Sequence, residues 1–125
     1  MTRENGTEGP DGAGGRQAAT GSPLGHSLTE EAVAADVRTL ATLGNDTRYE
    51  ALRVVAEADD DVCVCEIEPS LGVSQGAVSQ ALSRLFAAGL VERRKEGRWR
   101  YYSATPRARR LLRFLDETRT NRTEE

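Results

Sequence analysis

Both cysteines of this 125-residue chain fall in one short segment, Val62-Cys63-Val64-Cys65-Glu66. Two thiolates at this spacing suit a soft ion such as As(III), Sb(III), Cd(II), Zn(II) or Cu(I). Three roles are open to them. They can ligate a soft ion. They can be redox-active thiols, with pKa lowered by the start of a helix. They can also be small, partly buried apolar side chains. A disulfide between them closes a very tight, strained loop. Immediately downstream lies Leu71-Gly72-Val73-Ser74-Gln75. A Gly that turns the chain and a Ser that caps the next helix have the form of a helix-turn-helix turn. The thiol pair therefore abuts an element that can read DNA.

Hydropathy patterning supplies the elements that position these residues. A first helix is expected from about Thr29 to Leu43, with Val33, Val37, Leu40 and Ala41 on one stripe and Gly44 at its end. Asp46 is expected to cap a second helix that buries Leu52, Val55 and Ala56. Asp59-Asp60-Asp61 closes it, and Val62-Cys63-Val64 can form a small strand. A third helix should begin near Cys65 or Glu66, with Pro69 tolerated in its first turn and Ile67 and Leu71 inward. The fourth helix carries Val78, Ala81, Leu82 and Leu85 at i, i+3, i+4 and i+7, and Gly89 stops it. Leu90 to Ser103 reads as a β-hairpin with its turn at Glu96-Gly97. Thr105-Pro106 opens a fifth helix with Ala108, Leu111, Leu112 and Leu115. The pattern fades after Arg119. The fold class is mainly α with a small β-hairpin: a winged helix-turn-helix of about five helices.

The fourth helix turns Gln75, Ser79, Gln80, Ser83 and Arg84 away from its apolar face, with Ser74 as cap. A helix fits the major groove, where such side chains reach base edges. The hairpin adds Arg93, Arg94, Lys95, Arg98 and Arg100, cations for phosphates. The bland reading is that Ser and Gln solubilise an exposed helix. Helix and wing together favour double-stranded DNA. Gly76 in the first turn is either a tolerated small residue or a place where backbone approaches a phosphate.

Composition agrees. Residues 1–61 carry five Arg against twelve acids, a balance of −7, whereas 62–122 carry eleven Arg and one Lys against six acids, a balance of +6. The basic half is an electrostatic footprint for nucleic acid. Residues 1–27 hold seven of the twelve glycines and few apolar side chains, so they are expected to be a disordered tail. Residues 28–119 form the DNA-binding and dimerisation domain, and 120–125 a C-terminal tail. No apolar run suits a membrane span or signal peptide, which points to the cytoplasm. There thiols stay reduced. An enzyme is not expected, because the chain has no CxxC and no credible His partner for a nucleophilic thiol.

Cys63-Val64-Cys65-Glu66, Leu71-Gly72-Val73-Ser74-Gln75, Ala77-Val78-Ser79, Ala88-Gly89-Leu90-Val91 and Glu96-Gly97-Arg98-Trp99-Arg100-Tyr101-Tyr102 resemble the ArsR/SmtB family of metal-responsive repressors. Leu43-Gly44-Asn45-Asp46-Thr47-Arg48 resembles its first helix junction. The likeness spans about residues 29–116, in order. It implies a homodimer that binds an inverted-repeat operator when ligand-free and leaves it when a metal or metalloid binds. It implies a dimer interface of the first and fifth helices, here Val33, Val37, Leu40, Leu111, Leu112 and Leu115. It places Cys63 and Cys65 on the first two ligands of the arsenic-sensing variant. The third Cys of that variant is replaced by Glu68. Some relatives use an acidic ligand where Glu66 stands, or ligands from the N-terminal arm, where His26 is the chain's one histidine and otherwise an ordinary surface residue. The resemblance thus implies As(III), Sb(III) or a soft divalent metal as inducer, with no cofactor needed for folding. A thiol-redox regulator and a non-sensing protein-interaction module are the alternatives.

Overall fold

The computed structural model describes residues 24–123, with side chains described through Arg119. Most of the expected N-terminal tail, residues 1–23, lies outside the described residues. The described residues up to 31 belong to one unit and those from 32 onward to another. In the first unit, residues 24–29 have no helix or strand. His26 Nδ1 there accepts a hydrogen bond from the Leu28 N–H at 3.1 Å.

The chain forms α1 (Glu30–Leu43), α2 (Asp46–Glu57), β1 (Val62–Cys63), α3 (Val64–Leu71), α4 (Gln75–Ala87), β2 (Val91–Glu96), β3 (Trp99–Ala104) and α5 (Pro106–Thr123). This is the expected winged helix-turn-helix with one addition. The hairpin gains a third strand: β1 pairs antiparallel with β3, so that the sheet order is β1-β3-β2. Val62 lies opposite Tyr102, and Cys63 opposite Tyr101. Among the described residues, no helix is long and apolar enough to cross a membrane.

Local chemistry sets the boundaries. Ser74 Oγ accepts from the Ala77 N–H at 3.1 Å and caps α4. Thr105 Oγ1 accepts from the Ala108 N–H at 3.2 Å and caps α5, both as the sequence indicates. The cap of α2 is Asn45, whose side chain accepts from the Arg48 N–H at 2.9 Å, and not Asp46. Asp46 is instead the first helical residue, where its carboxylate still meets the positive end of the dipole. The hairpin turn is Gly97-Arg98, one residue later than expected, because Glu96 pairs with Trp99. Gly97 takes φ +64°, which a side chain resists. Helix α5 runs on to Thr123, so most of the expected C-terminal tail is helical. Arg119 pairs with Asp116 at 2.9 Å one turn back, and extending a formed helix needs no apolar stripe.

Helix α3 begins at Val64, earlier than expected, because Cys63 caps it. The Cys63 N–H donates to Glu66 Oε1 at 3.0 Å, and Cys63 Sγ accepts from the Cys65 N–H at 3.3 Å. Pro69 therefore falls at the sixth helical position, not in the first turn. It has no N–H for the Cys65 carbonyl one turn back. Gly72 then ends the helix at φ +70°, and its N–H bonds the Glu68 carbonyl.

The core forms where α2, α3 and α4 meet. Leu52 and Val55 pack with Ile67 and with Val78, Leu82 and Leu85, all essentially inaccessible. Each contributes about 2 kcal/mol by burial. Ala51 completes the buried face of α2, and Ala56 is only partly covered. Leu90, Tyr102, Ala108 and Leu112 close the core from the wing and α5. Leu112 is 5% exposed and so serves this chain's own core, unlike the expected interface role. Leu111 is half-buried against the same core. By contrast Val33, Val37 (57% exposed), Leu40 (67%), Phe114 (61%) and Leu115 leave apolar surface uncovered. Arg107 of α5 donates to the Ala88 carbonyl at 3.0 Å and to Thr39 Oγ1 of α1.

Two glycines should respond oppositely to alanine. A Cβ at Gly72 meets nothing within 4 Å, yet its left-handed φ is strained for any side chain. Gly72→Ala should cost about 1 kcal/mol. Gly76 is helical and a Cβ there meets only Ser74 Oγ at 3.9 Å. Gly76→Ala should stabilise by about 0.5 kcal/mol. Urea midpoints of the two variants against wild type check both signs.

Candidate nucleic-acid interface and thiol pair

The buried stripe of α4 fixes which side faces out. Ser74, Gln75, Ser79, Gln80, Ser83 and Arg84 are all exposed. Four of them divide between two clefts. Gln80 and Arg84 line one with Asn45, Thr47 and Arg48 of the α1–α2 junction and α2. Arg48 is held there by Nε–H donation to the Thr42 carbonyl at 2.7 Å. Gln75 and Ser79 line the other, of about 470 Å³, together with Cys63 and Cys65. Its far wall is the wing tip: Lys95, Arg98, Trp99 and Arg100. The thiol pair, the start of the recognition helix and the wing therefore share one cavity.

The wing cations are not equivalent. The Arg93 guanidinium lies 4.1 Å from the Phe86 ring centre, a cation–π contact worth about 0.5–1 kcal/mol at an exposed site. It ties the wing to the end of α4. Arg94 pairs with Asp61 at 2.9 Å and Glu96 at 2.7 Å and lies over Tyr101. Its charge is largely balanced within the chain, and it links the wing to the loop before β1. Among the described residues, Lys95, Arg98 and Arg100 form no ion pair. They are the free cations of the tip. The contacts of Phe86 and Asp61 with the wing escaped the sequence reading. A cation beside an aromatic or acid distant in sequence leaves no local pattern.

Cys63 is buried at 6% exposure, and Cys65 is exposed. Their sulfurs lie 2.7 Å apart, and either thiol can donate to the other. A soft ion held by two bonds of about 2.3 Å spreads its sulfurs wider than this. Glu66 is committed to the Cys63 N–H. Among the described residues, no three His, Cys, Asp or Glu side chains converge as a metal site. The pair supplies two soft donors. The Cys65 thiol is pushed above its ordinary pKa, chiefly by its hydrogen bond to Cys63, then by desolvation and by the charges of Cys63 and Glu66. A backbone N–H hydrogen bond, the smallest influence there, acts in the lowering direction.

Residues 45–93 match the family of bacterial regulatory proteins named for arsR. ArsR2 of Halobacterium salinarum, a candidate arsenical resistance operon repressor, is 58% identical over 95 residues, 76% of this chain and 80% of that one. The chain belongs to the arsR family. Solved structures agree with this membership in fold. A homodimeric winged helix-turn-helix DNA-binding domain from Mycobacterium bovis superposes with TM-score 0.68 at 25% identity, over 78% of this chain and 92% of that one. HlyU from Vibrio cholerae gives 0.62 at 28% identity, over 72% and 97%. The arsR match begins at the α2 cap and ends within β2, so it takes in the thiol pair, α3 and α4.

The thiol geometry has a measurable signature. Alkylation of Cys65 by iodoacetamide, followed by mass spectrometry, should have its pH midpoint above that of an ordinary cysteine. Cys63→Ala removes the sulfur partner and should move that midpoint down. Buried Cys63 should label more slowly than Cys65 at every pH.

Proposed function

We propose that this chain is a sequence-specific, homodimeric DNA-binding repressor that leaves its operator when trivalent arsenic or antimony binds Cys63 and Cys65. The observation that carries the reading is the shared cavity, in which the thiols face both the recognition helix and the wing. In this reading Gln80 and Arg84 read bases, Gln75, Ser79 and Ser83 support them, and Lys95, Arg98 and Arg100 hold phosphates. The name of the Halobacterium relative and the description of the mycobacterial neighbour support repression, arsenic response and dimerisation.

Release follows from the capping chemistry. Cys63 Sγ holds the first turn of α3 through the Cys65 N–H. Bonding that sulfur to a soft ion and rotating it outward removes the cap. A lost cap costs about 1 kcal/mol, and the rotation shifts a helix that packs directly on α4. The same movement pulls on β1, which is paired to the wing through Tyr101. A ligand needs a preference of a few kcal/mol between two states to switch occupancy. Two sulfur bonds at a cap that must open provide for it.

Dimerisation uses the uncovered apolar face of α1 and α5. A groove of about 610 Å³ between them is lined by Leu40, Leu111 and Phe114. Val33, Val37 and Leu115 widen the apolar surface. One chain leaves these residues in water, and a second copy covers them.

Operator affinity measured by fluorescence anisotropy tests the first half of this reading. Gln80→Ala and Arg84→Ala should each weaken binding by about 1–3 kcal/mol, roughly 5- to 150-fold, and relax sequence preference. Arg98→Gln should instead lower affinity for all sequences and reduce the log–log salt slope by about 1. Arsenite should release the wild type but not Cys63→Ser/Cys65→Ser, where a serine cap keeps α3 formed. Release of the double variant would refute the thiol site. Sedimentation tests the dimer: wild type should run as a dimer at micromolar concentration and Leu40→Glu/Phe114→Glu as a monomer. A monomeric wild type would exclude it.

A further inference from the structure

The thiol cavity has a composition that two sulfurs alone do not explain. One wall offers Cys63 and Cys65, and the other offers Lys95, Arg98 and Arg100. None of these cations is paired with a carboxylate among the described residues. No acidic residue lines the cavity, and Glu66 is held at the α3 cap. The site thus combines an incomplete soft-donor set with an excess of positive charge. Its volume of about 470 Å³ lies within the range of small-molecule sites, ~300–1,000 Å³, and far exceeds what one ion fills.

Resting on the arsenic-responsive reading above, we propose that this cavity binds trivalent arsenic together with one small anionic thiol. The sulfur of that thiol supplies the third bond to arsenic, and its carboxylates pair with Lys95, Arg98 and Arg100. The chemistry balances without any redox step. Arsenous acid, As(OH)3, loses three As–O bonds and gains three As–S bonds, two to the protein and one to the small thiol. The three thiol protons leave with the hydroxyls as three waters, and arsenic stays trivalent. The carboxylates then occupy cations that otherwise face DNA phosphates. Inducer binding and loss of wing charge become one event.

Trp99, the single tryptophan of the chain, lines the cavity and reports on it by fluorescence. The full-length protein is titrated with arsenite in the presence of mercaptosuccinate or of neutral 2-mercaptoethanol, at equal ionic strength. The apparent Kd for arsenite should be about tenfold lower with mercaptosuccinate, as expected for a few partly exposed charge pairs. Native mass spectrometry should show protein plus arsenic plus one mercaptosuccinate. Lys95→Gln/Arg98→Gln/Arg100→Gln should lose the preference, its apparent Kd for arsenite becoming the same with either thiol. Equal affinities, a preference that survives in the triple variant, or an adduct without the small thiol would each overturn the proposal while leaving arsenic sensing intact. Arsenite that fails to bind with either thiol, or that binds equally well to Cys63→Ser/Cys65→Ser, overturns the sensing reading and this proposal together.

Discussion

Val78, Leu82 and Leu85 of α4 are fully buried against Leu52 and Val55 of α2 and Ile67 of α3. On this packing the rest of the molecule depends. It fixes the rotation of α4 about its own axis, so the polar residues face outward together. The same core receives Tyr102 from β3 and Leu112 from α5. Wing and C-terminal helix are thereby both indexed to the recognition helix. Interiors packed at crystal density do not deform smoothly. A displacement of α3 against this core therefore reaches α4 as a change of position, not as a local softening.

Cys63 concentrates several duties in one residue. It ends β1 opposite Tyr101, caps α3 through its sulfur, presents its N–H to Glu66 and lies against Cys65. Chemistry at that sulfur cannot be isolated from backbone geometry. A thiol on an exposed loop could bind a soft ion with no structural consequence. Here the acceptor that holds a helix end is the atom a soft ion would take. The ties of Arg94 to Asp61 and Glu96 extend the same coupling to the wing.

Much of this was legible in the sequence, for identifiable reasons. The spacing of Val78, Ala81, Leu82 and Leu85 is a purely local statement about one helix, and it held. The caps made by Ser74 and Thr105 and the turn at Gly72 lie within three or four residues of themselves, so those roles could be read directly. Asn45 and Asp46 are both good caps, and adjacency of two candidates leaves the choice to backbone geometry. Strand β1 is only two residues long, and its pairing to β3 depends on residues about forty positions away. The burial of Leu112, against the exposure of Leu115 one turn later, reflects where α5 leaves the core. Periodicity marks a stripe but not where along the helix its cover ends. The thiol cavity was half legible. Cys63 and Cys65 stand out by chemistry, but nothing local says that Lys95, Arg98 and Arg100 face them.

Pro69 has a mechanical consequence. In an eight-residue helix every backbone bond is a large share of the stiffness, and α3 is built with one missing at the Cys65 carbonyl. The first turn is therefore held mainly from its start, by the sulfur and carboxylate at the cap, and less by the turn that follows. If the cap were opened, the turn would have one bond fewer to break, worth about 1 kcal/mol. The proline makes α3 compliant at the end that carries the thiols while Gly72 keeps the other end sharply defined.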